Sequence, residues 1–336
     1  MSSKVEKKRL AILKLLQEDG RPHGSQELAD RLAALGHEMS ERTVRHHLQA
    51  LDADGLTANL GKQGRRITEL GSHELASARA FDKIGFLAAK IDQLTYTMGF
   101  DLARREGTVV VNVSLLEQGQ VAEALPLMAK VYTARLGVGR LAALFGPGDR
   151  IGEVAVPEGK VGVGTVCSIT FNGVLLAHGI PVTSRFGGLL ELRALKPTRF
   201  VELIHYEGTT LDPLEVFIRS GMTDYRGAVA TGDGLVGASF REVPGNARDR
   251  VATAAAGMEE AGLGLVLAVG WPGRPLLDIP VSEGRLGVVL MGGLNPIAIL
   301  EESGMRVRHT GALAGLVDYR RLVPFEDLVA QAGRYA

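Results

Sequence analysis

Cysteine is almost absent from this chain, which has one among its 336 residues. A single cysteine excludes an internal disulfide and suits a reducing cytoplasm. An excess of one charge is absent too, because 38 Lys and Arg balance 38 Asp and Glu. Any positive surface must therefore be local, and even residues 1–75 hold 12 basic against 11 acidic side chains.

Long apolar runs are missing as well. Segments such as 262–269 are far shorter than the roughly 20 residues that a membrane-spanning helix needs. Residues 1–9 are basic, but Glu6 interrupts them and an amphipathic helix follows, which is unlike a secretory signal. We therefore expect a cytoplasmic protein with no membrane partner.

Motifs for catalysis and metal binding are also lacking. Five of the eight histidines fall within residues 1–73, and neither HExxH nor CxxC occurs. Gly137-Val-Gly139 and Gly162-Val-Gly164 lack the third glycine of a dinucleotide-binding loop, and there is no P-loop. We predict no metal, no cofactor and no catalytic residues. An enzyme would need titratable side chains clustered in a cleft, and the sequence offers too few.

Residues 40–51 are the most informative feature that is present. On a helix, Val44, Leu48 and Leu51 form one apolar stripe. The opposite face carries two arginines, two imidazoles and an amide, which are side chains that bond phosphates and base edges. The segment is therefore predicted to be a DNA recognition helix, and the candidate DNA contacts are Ser40, Arg42, Thr43, Arg45, His46 and Gln49.

The flanking sequence completes a winged helix-turn-helix over residues 1–71. Residues 4–19 are predicted to form a helix with Val5, Ile12, Leu13 and Leu16 inside. Ser25 is predicted to cap a second helix bearing Leu28, Ala29, Leu32 and Leu35, and Ser40 to cap the third. A two-stranded wing follows, with Lys62, Arg65 and Arg66 as phosphate contacts. One such module makes few phosphate contacts, so useful affinity for double-stranded DNA requires at least a dimer.

The sequence from about residue 110 onward is duplicated. A shift of 125 positions pairs Ser114 with Ser239, Pro147-Gly148 with Pro272-Gly273, and Gly179 with Gly304. Most shared residues are Gly or Pro, which fix backbone geometry, so the copies share a chain path. Beyond this stretch the shift falls to 111, because the first copy carries extra residues around 193–206.

Each copy predicts the order strand, helix, strand, strand, short helix, strand. The expected fold class is α/β: an N-terminal winged helix-turn-helix followed by two repeated α/β sandwich domains related by a pseudo-two-fold axis. The copies span residues 107–225 and 226–336, and linker helices over residues 72–106 precede them. Those linker helices either couple DNA binding to the rest of the chain, mediate dimerisation, or are ordinary packing helices. The sequence does not distinguish these alternatives.

The seam between the copies is the natural place for a small ligand. Residues 162–173 run from a Val-rich strand into a helix, and residues 287–298 are their counterpart, with Asn295-Pro296 as the predicted N-cap and first helical residue. Helix starts with small residues admit carboxylates, so two facing starts are predicted to hold a small dicarboxylate. The candidate contacts are Thr165, Cys167, Ser168, Thr170, Asn172, Gly292, Gly293 and Asn295, with Arg185 as a guanidinium donor. The competing interpretation is a pair of ordinary helix starts around a buried, inert cysteine.

Four motifs resemble the NrpR family of nitrogen-regulation repressors: Glu158-Gly-Lys-Val-Gly-Val-Gly-Thr-Val-Cys-Ser168, Asn172-Gly-Val-Leu-Leu176, Gly179-Ile-Pro-Val-Thr-Ser-Arg-Phe-Gly-Gly188 and Tyr206-Glu-Gly-Thr-Thr-Leu-Asp-Pro213. The resemblance covers nearly the whole chain. It implies a dimeric or tetrameric repressor of nitrogen-fixation and ammonium-assimilation operons that binds inverted repeats and is released by 2-oxoglutarate. It also implies that Arg42, Arg45, His46 and the wing arginines read the operator and that residues 165–172 contact the effector. The alternative is a regulator of the same architecture that responds to an amino acid or to a different keto acid.

Overall fold

The computed structural model of the chain describes residues 3–82, 85–152, 154–264, 266–305 and 307–331. Contacts divide the chain into two compact units, Met1–Ile84 and Gly85–Ala336. The predicted linker over residues 72–106 is therefore split. Its first part continues a helix of the first unit, and its second part contains the first helix of the second unit.

The first unit is the predicted winged helix. Its elements are α1 (Ser3–Asp19), α2 (Ser25–Ala34), α3 (Glu41–Ala53), β1 (Thr57–Asn59), β2 (Arg65–Ile67) and α4 (Glu69–Asp82). Leu16, Leu28 and Leu48, from the first three helices, have no exposed surface and centre a separate small core. On each helix, apolar residues recur with the helical period and form one apolar stripe. Burial of the three stripes against one another holds the helices together.

The wing is a short antiparallel hairpin whose second strand also pairs with the backbone at His23. Thr57 lies opposite Ile67 and Asn59 opposite Arg65. The backbone N–H groups of His23 and Arg65 each donate to the other residue's carbonyl at 2.9 Å. Gly64 has φ +98°, and a Cβ there would collide with the His23 carbonyl, so this turn requires glycine.

Three details of the first unit differ from the sequence prediction. The N-cap of α2 is Gly24 rather than Ser25. The Ser25 hydroxyl lies one residue inside the helix and instead donates to Glu41. Leu35 and Val5 are exposed, because α2 ends at Ala34 and the first turn of α1 extends past the core.

The second unit contains both copies of the repeat. The predicted linker supplies α5 (Phe86–Thr97). The first copy supplies β3 (Thr108–Glu117), α6 (Val121–Thr133), β4 (Leu141–Phe145), β5 (Arg150–Ile151), β6 (Val154–Ala155), β7 (Lys160–Val166), α7 (Ile169–Ala177), β8 (Thr183–Arg193), β9 (Lys196–His205) and α8 (Pro213–Arg219). The second supplies α9 (Tyr225–Thr231), β10 (Gly234–Pro244), α10 (Arg248–Glu260), β11 (Val266–Val269), β12 (Arg285–Met291), α11 (Asn295–Glu302), β13 (Arg308–Asp318), β14 (Val323–Pro324) and α12 (Phe325–Gln331).

Two five-stranded antiparallel sheets organise this unit, and each takes strands from both copies. The first sheet has the order β13-β3-β7-β4-β14, and the second has the order β11-β12-β10-β8-β9. The strand β8 of the first copy pairs with β10 of the second copy. Reciprocally, β13 of the second copy pairs with β3 of the first. The predicted boundary at residue 225 therefore separates two sequence copies that exchange strands and share one hydrophobic core.

The exchange follows the predicted pseudo-two-fold relation. Helix α6 packs on α11 of the other copy, and its counterpart α10 packs on α7. The ion pair between Lys160 and Glu117 in the first sheet recurs as Arg285 and Glu242 in the second, with Nε–Oε2 at 3.6 Å. Central strands are buried on both faces, as every residue from Val109 to Leu116 shows, so their sequence is largely β-branched or apolar rather than alternating.

Candidate functional sites

The predicted DNA contacts of α3 lie side by side on its outer face. Arg42, Arg45, His46 and Gln49 are all exposed, whereas Val44, Leu48 and Leu51 are fully buried. The Ser40 hydroxyl caps the helix by accepting the Thr43 N–H at 3.3 Å. Thr43 is half-buried and its hydroxyl lies 2.9 Å from that of Ser40. The helix therefore presents one polar, exposed face opposite its buried apolar stripe.

His47 departs from the predicted face. Its side chain is buried, so only one imidazole, that of His46, is displayed. Burial, together with the nearby positive charges of His46, Lys8 and Arg9, lowers the pKa of His47. A neutral imidazole at this position packs against the body of the unit and is not available to a phosphate.

The wing displays two of its three predicted phosphate contacts. Lys62 and Arg66 are exposed at the hairpin. Arg65 is instead largely buried, and its Nε donates to Asp52 Oδ2 at 2.8 Å. The Thr57 hydroxyl donates to the other carboxylate oxygen of Asp52 at 2.6 Å. Arg65 thus fastens the wing to the end of α3. The spacing of basic residues in the sequence could not show that Arg65 makes an internal contact while Lys62 and Arg66 are exposed.

In the second unit, the two predicted helix starts meet. The Thr165 hydroxyl donates to the Gly293 carbonyl at 2.7 Å. A Cβ on Gly293 would lie 2.5 Å from Asn112 Nδ2 and 2.6 Å from the Val166 carbonyl. The strand-to-helix turn of the first copy therefore touches that of the second at backbone distance, and only glycine fits between them.

This close approach makes Gly293 a sensitive position. We expect Gly293→Ala to lower the free energy of unfolding of the second unit by about 1–3 kcal/mol, because the added methyl forces the two turns apart. Denaturant titration followed by the fluorescence of Trp271, the single tryptophan, reports this unit. Gly146→Ala is the matched control, since a Cβ there meets nothing within 4 Å. Equal stability of the two variants would contradict the close contact.

Most of the predicted effector contacts already have partners within the protein. The Thr170 hydroxyl bonds the Val110 backbone, and Asn172 Nδ2 donates to the Ser184 hydroxyl at 3.0 Å. Arg185 donates to the buried carboxylate of Glu242 at 3.0 Å. Gly292 leaves room for the Asn295 side chain, against which a Cβ would collide. These groups are engaged within the protein rather than standing open to a ligand, and the Arg185–Glu242 pair joins the two copies.

The helix starts also differ in detail from the prediction. Leu294 is the N-cap of α11, and Asn295 is its first residue, so Asn295 does not cap the helix. Its amide instead donates to the carbonyls of Leu136 and Gly237, both at 2.9 Å. The N–H of Thr170 bonds the Cys167 carbonyl, and the N–H of Ile297 bonds that of Leu294. These tight turns occupy amides that an anion would otherwise use.

The most unusual side chain of the seam, Arg241, was not among the predicted contacts. It is completely buried on β10, where Nε donates to Asn172 Oδ1 at 3.3 Å and Nη2 to the Ser168 hydroxyl at 3.5 Å. The guanidinium also donates to the Phe240 carbonyl and lies 5.1 Å from the ring centre of Tyr206. Among the described residues, no carboxylate lies within ion-pair distance of it. The buried Asp212 carboxyl interacts with this charge beyond hydrogen-bond distance, and burial outweighs Arg241 in setting its pKa. A buried guanidinium whose direct hydrogen bonds are long and neutral is a costly arrangement that favours a closer anionic partner.

A small cavity lies beside this group. Its volume is about 20 Å³, and Cys167, Ser168, Tyr206, Asp212 and Gly293 are among the residues that line it. Asp212 accepts the N–H groups of Leu214 and Glu215 at the start of α8, and burial raises the pKa of its carboxyl group. Burial also raises the pKa of the Cys167 thiol to about 12, so it stays protonated and unreactive. In this conformation the cavity holds no more than about one water molecule.

At the pseudo-symmetric positions of the other copy, the residues that correspond to this polar cluster are apolar or glycine. Under the repeat alignment, Arg241 corresponds to Leu116, Ser168 to Gly293, Asn172 to Ile297 and Asp212 to Val323. Leu116 and Ile297 are both completely buried. A charge at an apolar position of the repeat was the signal in the sequence that could have found Arg241. Among the described residues, the position held by Arg241 is thus charged in one copy and apolar in the other.

Within the described ranges, no helix is both long and apolar enough to cross a membrane. No group of three or more His, Cys, Asp or Glu side chains among the described residues could hold a metal ion.

Comparison with known proteins agrees with both units. Residues 84–323 match the family model described as NrpR regulatory domains NRD1 and 2, and residues 10–75 match the winged-helix domain of ribonuclease R. The global nitrogen regulator NrpRI of Methanosarcina mazei is 33% identical over 96% of this chain and 99% of its own length.

Two longer relatives and one solved structure extend the comparison. NrpR of Methanococcus maripaludis is 33% identical over 87% of this chain, and that of Methanocaldococcus jannaschii is 31% identical over 89%. The match covers about half of each of these two proteins, 51% and 52%. The crystal structure of a nitrogen repressor-like protein from Methanococcus jannaschii superposes with a TM-score of 0.60 at 25% identity, over 70% of this chain and 97% of that one. The chain is thus a regulatory protein rather than an enzyme, and it belongs to the NrpR family of nitrogen regulators.

Proposed function

We propose that this chain represses nitrogen-assimilation and nitrogen-fixation genes in the cytoplasm and leaves its operator when 2-oxoglutarate binds beside Arg241. The exposed polar face of α3 enters the major groove, and the wing contacts the flanking backbone. A single module makes few phosphate contacts, so a dimer or tetramer binds an inverted repeat with one module on each half-site. The proposal needs no metal and no cofactor, because the effector is the only small molecule involved.

The wing contribution is measurable as a salt dependence. Lys62→Ala and Arg66→Ala should each weaken binding similarly on all DNA sequences and make the plot of log affinity against log salt shallower by about 0.9 for every phosphate that is no longer neutralised. Fluorescence anisotropy of labelled duplex at several salt concentrations measures the slope. Lys14→Ala, which removes an exposed charge from α1, is the control. An unchanged slope in both wing variants would remove the wing from the DNA contacts.

The buried guanidinium of Arg241 is the observation that carries the effector proposal. A carboxylate of a diacid would neutralise it and replace its long hydrogen bonds with charge-assisted ones. The Ser168 hydroxyl and the Tyr206 ring adjoin the same group. The apolar counterpart around Leu116 offers no such partner, so we propose one effector molecule per chain.

Effector binding must open the seam. A cavity of about 20 Å³ cannot hold a five-carbon diacid. The ligand therefore favours a second conformation in which the turns around Ser168 and Gly293 separate. An effector that binds this second state better than the first can shift operator affinity by a coupling free energy of about 1–3 kcal/mol.

Two measurements on the full chain test the proposal. Calorimetry with 2-oxoglutarate should give one site per chain, and anisotropy on its operator should show release at millimolar effector. Glutamate, glutamine, pyruvate and oxaloacetate form the comparison panel. Release by one of these alone would identify a regulator of the same architecture with a different effector. If no acid affects DNA binding, the effector proposal fails.

A further inference from the structure

Glu41 places a negative charge at the start of the helix predicted to contact DNA, where the helix dipole favours an acidic side chain. It is the first residue of α3, at the end of the helix that presents its side chains to DNA. Its Oε1 accepts a hydrogen bond from the Ser25 hydroxyl at 2.9 Å, and the same oxygen receives Nη2 of Arg45, one turn further along α3. Ser25 is the first residue of α2, so one carboxylate joins the two helices of the helix-turn-helix to a predicted base-reading side chain.

This chain of contacts restricts Arg45. An exposed arginine samples many rotamers and must lose that freedom when it binds a base edge. Arg45 is 57% exposed, so the rest of the protein offers it little packing. The hydrogen bond from Ser25 and the charge of Arg45 both lower the pKa of Glu41, which keeps the carboxylate ionised at neutral pH. An ionised carboxylate, anchored by Ser25, is a fixed partner for the guanidinium.

The same carboxylate is unfavourable to DNA in general. A negative charge at the groove-facing end of α3 repels phosphates, so it lowers the affinity for any duplex that offers no compensating contact. Sequence-independent binding depends almost entirely on phosphate neutralisation, and it therefore suffers most. The ion pair thus acts on specificity twice, through the orientation of Arg45 and through local charge.

We propose that Glu41 is a positioning residue for operator recognition: it holds the Arg45 guanidinium in its base-reading orientation and lowers the affinity for non-operator DNA. The inference rests on the proposed DNA-binding function of α3. It assigns Glu41 no base contact of its own, although a carboxylate can accept a hydrogen bond from cytosine N4. The test must therefore separate action through Arg45 from direct reading.

The test compares base preferences by selection from a random duplex library, using the full chain as wild type, Glu41→Gln, Arg45→Ala and the double variant. Glu41→Gln keeps an acceptor for Ser25 but removes the charge. We expect it to relax the same base position as Arg45→Ala and to add no change of preference in the Arg45→Ala background. Affinity for a random-sequence duplex should rise several-fold in Glu41→Gln near physiological salt, about 0.15 M. Glu41→Asp, which keeps the charge on a shorter stem, should retain more preference than Glu41→Gln.

Glu18→Gln is the matched control, since it removes an exposed carboxylate of the same unit from α1 and should leave base preference intact. If Glu41→Gln relaxes a different position, or still acts in the Arg45→Ala background, Glu41 contacts a base itself and the inference is wrong. Unchanged preference, with all variants melting at the wild-type temperature, would leave Glu41 only a packing role and also overturn it. A wild-type chain that selects no sequence would instead reject the DNA-binding function.

Discussion

Arg241→Leu should give a folded regulator that no longer responds to 2-oxoglutarate. The substitution copies Leu116, which fills the pseudo-symmetric position of the other copy. The substitution removes a buried charge but leaves Asn172 Oδ1 and the Phe240 carbonyl without their donor, so the variant should stay folded with a lower melting temperature. Removal of a desolvated guanidinium–carboxylate pair should cost about 2–5 kcal/mol of effector affinity, roughly 30-fold or more.

Calorimetry measures this decrease directly, and anisotropy should show operator binding that persists at effector concentrations that release the wild type. Leu116→Met is the control, because it changes the counterpart position without touching the polar pocket. Arg241→Lys keeps a buried charge but lacks the planar guanidinium fork. Its effector affinity should therefore lie between those of the wild type and Arg241→Leu. Full effector affinity in Arg241→Leu would show that the diacid binds elsewhere.

Arg45→Ala should weaken operator binding and relax base preference at one position of each half-site. A bidentate contact from arginine to guanine contributes about 1–3 kcal/mol of discrimination per module, so operator affinity should fall roughly 5- to 150-fold per half-site. Binding to random DNA should fall far less, because the variant removes only one of the several positive charges that face phosphates. The measurement is competitive anisotropy with single-base-pair variants of the selected duplex.

Lys14→Ala provides the reference for this second prediction, since it removes one exposed positive charge from α1 rather than from α3. It should change operator and random-DNA affinity little and by the same factor. If Arg45→Ala weakens both kinds of DNA equally, Arg45 contacts only phosphate. If it weakens neither, another residue of the exposed face, such as Arg42 or Gln49, must read the sequence.

Much of this architecture was predictable from local patterns. Val44, Leu48 and Leu51 repeat with the helical period, so the burial of α3 and the exposure of Arg42 and Arg45 followed directly. The offset of 125 residues identified two copies of one chain path, because glycines and prolines recur where the backbone turns. It also brought the turns around Ser168 and Gly293 to the same seam.

The remaining features depend on partners that a linear pattern does not reveal. Repeat matching shows that β8 and β13 are equivalent, but it does not show that each pairs with the other copy. Arg65 and Lys62 look alike as wing residues, yet Arg65 bonds Asp52, 13 residues away along the chain. Asn295 before a proline indicated a cap, whereas its amide satisfies two carbonyls far along the chain. In each case a long-range hydrogen-bond partner decides the role of the side chain.

The exchange of β13 also imposes an order on synthesis. The second sheet has all its strands once β12, ending at Met291, has left the ribosome, since β8 and β9 are made earlier. The first sheet must wait for β13, and until Asp318 emerges the apolar strand β3 keeps an unpaired edge. Open strand edges recruit other chains, so the nascent polypeptide is most prone to aggregate in this interval. A premature stop codon shortly before residue 308 would therefore release a product with one complete sheet and one sheet whose β3 edge is exposed and prone to aggregation.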